Sequence, residues 1–206
     1  VTWAAIHDAF HEYLVIFLPD QKLSPAQHVA FASRFGQLVP YPFVHGIDGY
    51  PDLIDIVKTP EEVQNFGSGW HTDMSFTKSP PLGAVLQGLE VPPKGGDTMF
   101  ANMYLAYELL SDGMKALVGR IRGIHDSHEP EGHSQRYKGM SLLGKDGAKR
   151  QVHHHSLVKV HPVTGRKSLF ISPDYCMQLE GMTEAESRPL LGTLEHHATR
   201  HELTCR

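Results

Sequence analysis

The chain is poor in cysteine: only Cys176 and Cys205 occur in 206 residues, in neither a CxxC nor a zinc-knuckle spacing. That scarcity excludes a disulfide framework and suits a reducing compartment, so both thiols are expected to be ordinary packed or surface groups and the protein to be cytoplasmic. No apolar run approaches the length of a membrane span, and the first residues carry no basic patch followed by an apolar signal core, so no membrane partner is expected. Basic charge is also in short supply. Lys and Arg number 19 against 23 Asp and Glu, giving a net charge of −4, and their scatter forms no stripe of the kind that tracks phosphates, which argues against nucleic acid as a partner. Repeats, low-complexity tracts and interdomain linkers are absent. What remains, 40% hydrophobic and 20% charged, is ordinary for one compact domain, residues 1–206, with a real core. A homo-oligomer stays open. The chain opens at Val1 already inside a helical pattern and stops at Arg206 in what reads as the start of a strand, so it is expected to be a fragment, truncated at both ends.

Trp3, Ile6, Phe10 and Tyr13 recur at three- and four-residue steps and predict a helix, and Leu14 to Leu18 reads as a buried strand after it. Ser24-Pro25-Ala26-Gln27 has a capping residue, a first-turn proline and a glutamine at the third position, the signature of a helix start, with a stop at Gly36. Short segments follow at 53–57, 70–76, 84–89, 98–101, 157–161 and 169–172, most separated by Gly, Pro or Asp clusters as in β-sandwiches and barrels. Residues 103–117 are expected to be helical with a break near Ser111-Asp112-Gly113. Thr183 to Glu186 is a second capping box, opening a helix with Leu190, Leu191 and Leu194 inward. The polar stretch 127–153 has no periodicity and reads as a long loop or lid. Many short strands with marginal helices point to a mainly β fold with flanking helices, jelly-roll or cupin-like, incomplete at its C-terminus.

Chemistry concentrates in Gly69-Trp70-His71-Thr72-Asp73-Met74-Ser75-Phe76. In extended chain, residues two apart share a face, so His71 and Asp73 can offer an imidazole and a carboxylate to one point while Trp70 and Thr72 face away. A distant third His would complete the two-His, one-carboxylate triad of non-haem iron(II) oxygenases, leaving positions for substrate and oxygen. The spacing alone is weak, since chance supplies about one such pair in a chain this rich in His and Asp. On that ground alone, polar residues on an exposed strand face are the more frequent outcome. The context adds a glycine-rich approach (Gly67, Gly69) and a second turn, Gly95-Gly96-Asp97-Thr98, itself ordinary turn chemistry. His153-His154-His155 reads as a solvated loop end, with adventitious metal binding as the alternative.

The run from Trp70 to Ala101, with WHTDMSF and then SPPLGAVLQGLEVPPKGGDTMFAN, resembles the taurine dioxygenase family, which includes the dichlorophenoxyacetate dioxygenases. Phe35 to Leu38, Ala106-Tyr107-Glu108 and the segment from Val160 to Lys167 match in the same order, so the likeness covers almost the whole chain. It implies a double-stranded β-helix and an iron(II)- and 2-oxoglutarate-dependent dioxygenase. It further implies His71 and Asp73 as iron ligands, with Thr98 donating to the distal carboxylate of 2-oxoglutarate, and dioxygen as cosubstrate. The second iron His and a carboxylate-pairing Arg are expected on strands beyond Arg206. His125, His161, His196, His197 and His201 are weaker candidates for that third ligand.

The implied substrate is a small organic acid such as a sulfonate or sulfate ester. Here the sequence departs from the taurine enzyme: Tyr41 and Val44 stand where that enzyme has a sulfonate-binding His and Tyr, and Gly67 stands where it has an Asn. Tyr175 falls where an aromatic pocket wall is expected, though a packed core tyrosine explains it equally well. Two alternatives stay open. One is a hydroxylase of a carnitine-like carboxylate; the other is an inactive or non-catalytic small-molecule-binding protein on the same scaffold. A cupin-type zinc hydrolase would need a closed ligand set.

Overall fold

The structure is a computed structural model that describes residues 2–59, 61, 66–128, 143 and 149–206. Spacing and caps set the helices. α1 (Trp3–Tyr13) opens on the Thr2 hydroxyl, which accepts from the Ala5 amide. α2 (Pro25–Ala32) opens on the Ser24–Gln27 capping box, with both reciprocal hydrogen bonds formed. The pair packs through aromatic edges, Trp3 on Phe35 at 4.7 Å and Phe10 on Phe35 at 5.5 Å between ring centroids. The helix expected over 103–117 breaks where foreseen. α3 (Met103–Glu108) ends before Ser111, whose hydroxyl caps α4 (Asp112–Val118). α5 (Glu184–Ala198) starts at the Thr183–Glu186 capping box.

Among the described residues sheet pairing is antiparallel. β2 (Arg122–Asp126) lies between β3 (Val152–Ser156) and β6 (Cys176–Leu179); β4 (Val158–Val160) pairs β5 (Lys167–Leu169) across the His161 to Gly165 turn. β1 (Phe100–Ala101) pairs β7 (Thr204–Cys205). Two buried clusters result among the described residues. The larger joins α3, α4 and α5 to the sheets through Ala106, Leu110, Leu157, Leu169, Leu179 and Leu194; the smaller gathers Phe43, Val44, Met74, Phe76 and Tyr175. Among the described residues no helix is long and apolar enough to cross a membrane. Cys176 is buried, its thiol pushed up to about 12 by desolvation, and Cys205 is exposed; neither forms a disulfide.

Several expectations change. Leu14 to Leu18 is not a buried strand: Leu14 takes a left-handed conformation that ends α1, and Phe17 stays 72% exposed with its edge toward Phe100. The segments 53–57, 70–76 and 84–89 form no ladder among the described residues, because an extended run becomes a strand only where a neighbour supplies the matching donors and acceptors. Most of the expected lid, 129–142 and 144–148, lies outside the described residues. Its ends are tied, with the Ser127 amide donating to the Gln151 carbonyl at 2.9 Å and the Gln151 amide to the Ser127 hydroxyl at 3.0 Å. His153-His154-His155 is no loop end but the middle of β3, where the alternation of a strand turns His154 outward and buries His155.

β2 carries an unusual core residue. His125 is fully buried, stacks on Phe170, and neither ring nitrogen finds a hydrogen-bond partner among the described residues. Desolvation, aided by His155 and Lys159, lowers its pKa from 6.5 to about 3. The unfolded imidazole therefore binds a proton near pH 6.5 while the folded one resists until about pH 3. Stability is full above the unfolded value and falls as pH drops through that window, by up to a few kcal/mol. Urea midpoints measured from pH 7 to pH 4 should fall steeply for the wild type and less steeply for His125→Phe; parallel curves would refute the neutral buried imidazole.

Candidate metal centre

The segment around His71 belongs to no strand of the described residues and enters a turn at Asp73, yet the alternation expected of it is realised. Thr72 points inward: its amide donates to the Ser172 hydroxyl at 3.0 Å, and its own hydroxyl donates to the Ile171 carbonyl at 3.5 Å. His71 and Asp73 consequently emerge on the opposite side and meet, Nε2 to Oδ1, at 3.1 Å. The turn then buries Met74, Ser75 and Phe76, with Met74 at a φ of 50° and the Thr77 amide donating to the Met74 carbonyl at 2.9 Å.

His71 is oriented by its neighbours. Its Nδ1 lies 2.8 Å from the Gly69 carbonyl, which can only accept, so Nδ1 carries a hydrogen and Nε2 is the nitrogen aimed at Asp73. The Asp73 hydrogen bond raises the His71 pKa; desolvation opposes it, while the Gly69 carbonyl and the charges of Asp73 and Asp174 add to the rise. A proton held between Nε2 and Oδ1 occupies the place a cation would take. Loss of that proton leaves a neutral nitrogen lone pair and a carboxylate oxygen converging on one point, a donor set suited to a divalent first-row metal. The residues present thus fit two ligands of such a centre. No group of three or more His, Cys, Asp or Glu able to hold a metal occurs among the described residues. His125 is accordingly a core residue, His161 sits at the β4–β5 turn, His196 and His197 lie on α5, and His201 starts the short 3-10 turn His201–Leu203.

The whole length of the chain, residues 1–206, matches the family model described as taurine catabolism dioxygenase TauD, TfdA family. The chain belongs to that family. It is 32% identical to an alkylsulfatase from Acinetobacter baylyi over 98% of its own length and 64% of that protein's. It is 33% identical to an (S)-phenoxypropionate/alpha-ketoglutarate-dioxygenase from Sphingobium herbicidovorans over 93% of its length and 69% of that protein's. The crystal structure of a taurine dioxygenase from Burkholderia xenovorans superposes with a TM-score of 0.79 at 36% identity, covering 98% of this chain and 65% of that one. The chain therefore spans about two thirds of the length of these relatives.

The other residues singled out from this family's pattern fall in different places. Gly67 lies against the His71 ring: at a φ of +69° it has a conformation few side chains adopt, and a Cβ there would stand 3.1 Å from His71 Cε1. Tyr41 packs on the smaller core cluster, 5.7 Å from Phe43 and 6.2 Å from Phe66, and Val44 is buried within it. Tyr175 is 6% exposed and meets Phe76 edge-on at 4.9 Å, so it is a packed core tyrosine behind the turn that follows His71. Thr98 is exposed after the Gly95-Gly96 turn, where both glycines have positive φ, and its hydroxyl bonds to neither His71 nor Asp73. Sequence reasoning missed Ser172, which anchors Thr72, and Asp174, whose Oδ1 would lie 2.5 Å from a Cβ at Gly69. No spacing signal links residues a hundred positions apart.

One titration checks this geometry without any metal. The His71 Cε1 proton, followed by NMR against pH, should show a lower pKa in Asp73→Asn than in the wild type, because the carboxylate that favours the imidazolium is gone. Equal pKa values would show that the two side chains do not pair.

Proposed function

We propose that the complete protein is an iron(II)- and 2-oxoglutarate-dependent dioxygenase that hydroxylates a small organic acid, a sulfonate or sulfate ester. The observation that carries this is the convergence of His71 Nε2 and Asp73 Oδ1 at 3.1 Å, with Nδ1 committed to the Gly69 carbonyl. Membership of the family and the names of the alkylsulfatase and taurine dioxygenase relatives support the substrate class. The third ligand and the Arg that pairs with the 2-oxoglutarate carboxylate lie outside these 206 residues on this reading.

His71 and Asp73 would hold iron(II). When bound, that centre with 2-oxoglutarate and dioxygen supplies oxidative decarboxylation of the 2-oxo acid to succinate and carbon dioxide, coupled to hydroxylation of a substrate carbon. The chain's own part is placement. The Gly69 carbonyl holds His71 in the tautomer that leaves Nε2 free to ligate. Thr98 would donate its hydroxyl to the distal carboxylate of 2-oxoglutarate. The missing side chain at Gly67 leaves room beside the His71 ring, and Tyr41 would stand on the substrate side, supported from the core by the cluster that holds Tyr175. A hydroxyl placed on a carbon that bears sulfonate or sulfate ester gives a product that releases the group.

The same reading includes closure of the sheets into a double-stranded β-helix. Its support is the apolar surface that the unpaired segments present: Leu86 is 68%, Leu89 80%, Val91 75% and Val57 70% exposed. Further strands would cover that surface and pair its backbone.

Anaerobic addition of iron(II) and 2-oxoglutarate to the full-length protein should give a visible charge-transfer band that disappears in His71→Ala and in Asp73→Ala. In Thr98→Val the band should persist but need more 2-oxoglutarate, roughly tenfold for the loss of one hydrogen bond to a charged group. A full-length protein that gives no band is not an oxygenase of this type.

A further inference from the structure

β3 carries a buried histidine that faces the metal pair's turn from the interior. His155 stands opposite Gly123 of β2 in the ladder. Its ring is enclosed edge-on by His125 at 5.3 Å and by Phe170 at 5.5 Å. Both ring nitrogens have partners. Nε2 lies 2.9 Å from the Thr77 carbonyl and Nδ1 lies 3.3 Å from the Lys159 ammonium, which is itself seated over the face of Phe170 at 4.2 Å. An ammonium can only donate and a carbonyl can only accept, so Nδ1 is the bare nitrogen and Nε2 carries the hydrogen. Burial and the neighbouring ammonium hold His155 below the usual histidine range, in keeping with a neutral ring.

Thr77 closes the turn that bears Asp73. Its amide and its hydroxyl both donate to the Met74 carbonyl, at 2.9 and 2.8 Å, and Met74 sits at a positive φ, a strained conformation for a residue with a side chain that its surroundings must hold. Before the turn, the chain is tied to Ser172 through Thr72. After it, the chain is tied to β3 through the His155 contact with the Thr77 carbonyl. Asp73 lies between these two ties with 57% of its side chain exposed, so backbone placement decides where its carboxylate points.

We propose that Lys159 and His155 form a positioning relay, Nζ–H to Nδ1 and Nε2–H to the Thr77 carbonyl, that holds the Thr72 to Thr77 turn so that Asp73 stays in register with His71. The consequence for metal affinity rests on the iron reading above; the hold on the turn does not. Neither residue touches the reacting centre.

The test uses the full-length protein and cobalt(II) as probe, with affinity read from its visible absorption, and amide hydrogen exchange at Ser75 and Thr77 read without metal. His155→Leu and Lys159→Met should each weaken cobalt(II) binding about tenfold, the usual loss when the support of a ligand is removed, and speed exchange at both amides. His155→Gln, whose amide can donate to Thr77, should recover both properties to within about threefold on the same scale. His125→Phe, which alters the aromatic enclosure alone, should change neither. If His155→Leu does not fold, Lys159→Met with His155→Gln decides. Wild-type cobalt(II) affinity and exchange in the relay variants overturn the proposal, and so does an equal loss in His125→Phe, which would mark plain packing. A wild-type protein that binds no cobalt(II) removes the iron reading, and exchange at Ser75 and Thr77 then judges the relay by itself.

Discussion

The inward tie of Thr72, its amide on the Ser172 hydroxyl, governs which way the chain faces at the site. Residues 71 and 73 emerge together because 72 is held from behind. A one-residue slip would bury both and expose the threonine, since side chains of extended chain alternate with a period of two. The interaction also couples the site to the sheet core: Ser172 is fully buried and follows β5, Leu169 and Ile171 belong to the larger cluster, and Phe76 and Tyr175 close the smaller one behind the turn. Placement of His71 and Asp73 is thus a property of the core and of the loop together.

Polar groups inside this fold serve orientation more than attraction. The Ser187 hydroxyl accepts from the Leu179 amide and donates to the Thr183 carbonyl, joining the end of β6 to the start of α5 with no group left over. His155 distributes one donor and one acceptor in the same way. His125 does not, and the fold carries it as a neutral aromatic at the cost of pH sensitivity. Surface ion pairs such as Arg166 with Glu108 and Arg122 with Glu180 add little by comparison, being half exposed and screened.

Helix starts were legible in the sequence because capping is a local matter. Ser24 with Gln27 and Thr183 with Glu186 need only three residues to form their reciprocal bonds, and the break at Ser111 needed only a side chain able to cap. Strands were less legible. β2 and β6 carry no clean alternation of apolar residues, and the histidine run of β3 reads as polar loop although its third member is buried. The converse error at Leu14 to Leu18 has the same origin: an apolar run shows a tendency to be covered, and nothing in it says whether a partner exists.

By itself the sequence determined the chemistry on offer: an imidazole and a carboxylate two residues apart, glycines at 67 and 69 that keep the approach open, and the family to which these belong. Tertiary structure decided what that chemistry could become. The 3.1 Å approach of His71 to Asp73, the Gly69 carbonyl that sets the tautomer, the seat of Thr72 on Ser172 and the contact of His155 with Thr77 join positions up to a hundred residues apart. Spacing along a chain fixes which side chains can share a face, whereas distance, burial and the identity of the hydrogen-bond partner exist only once distant segments have packed.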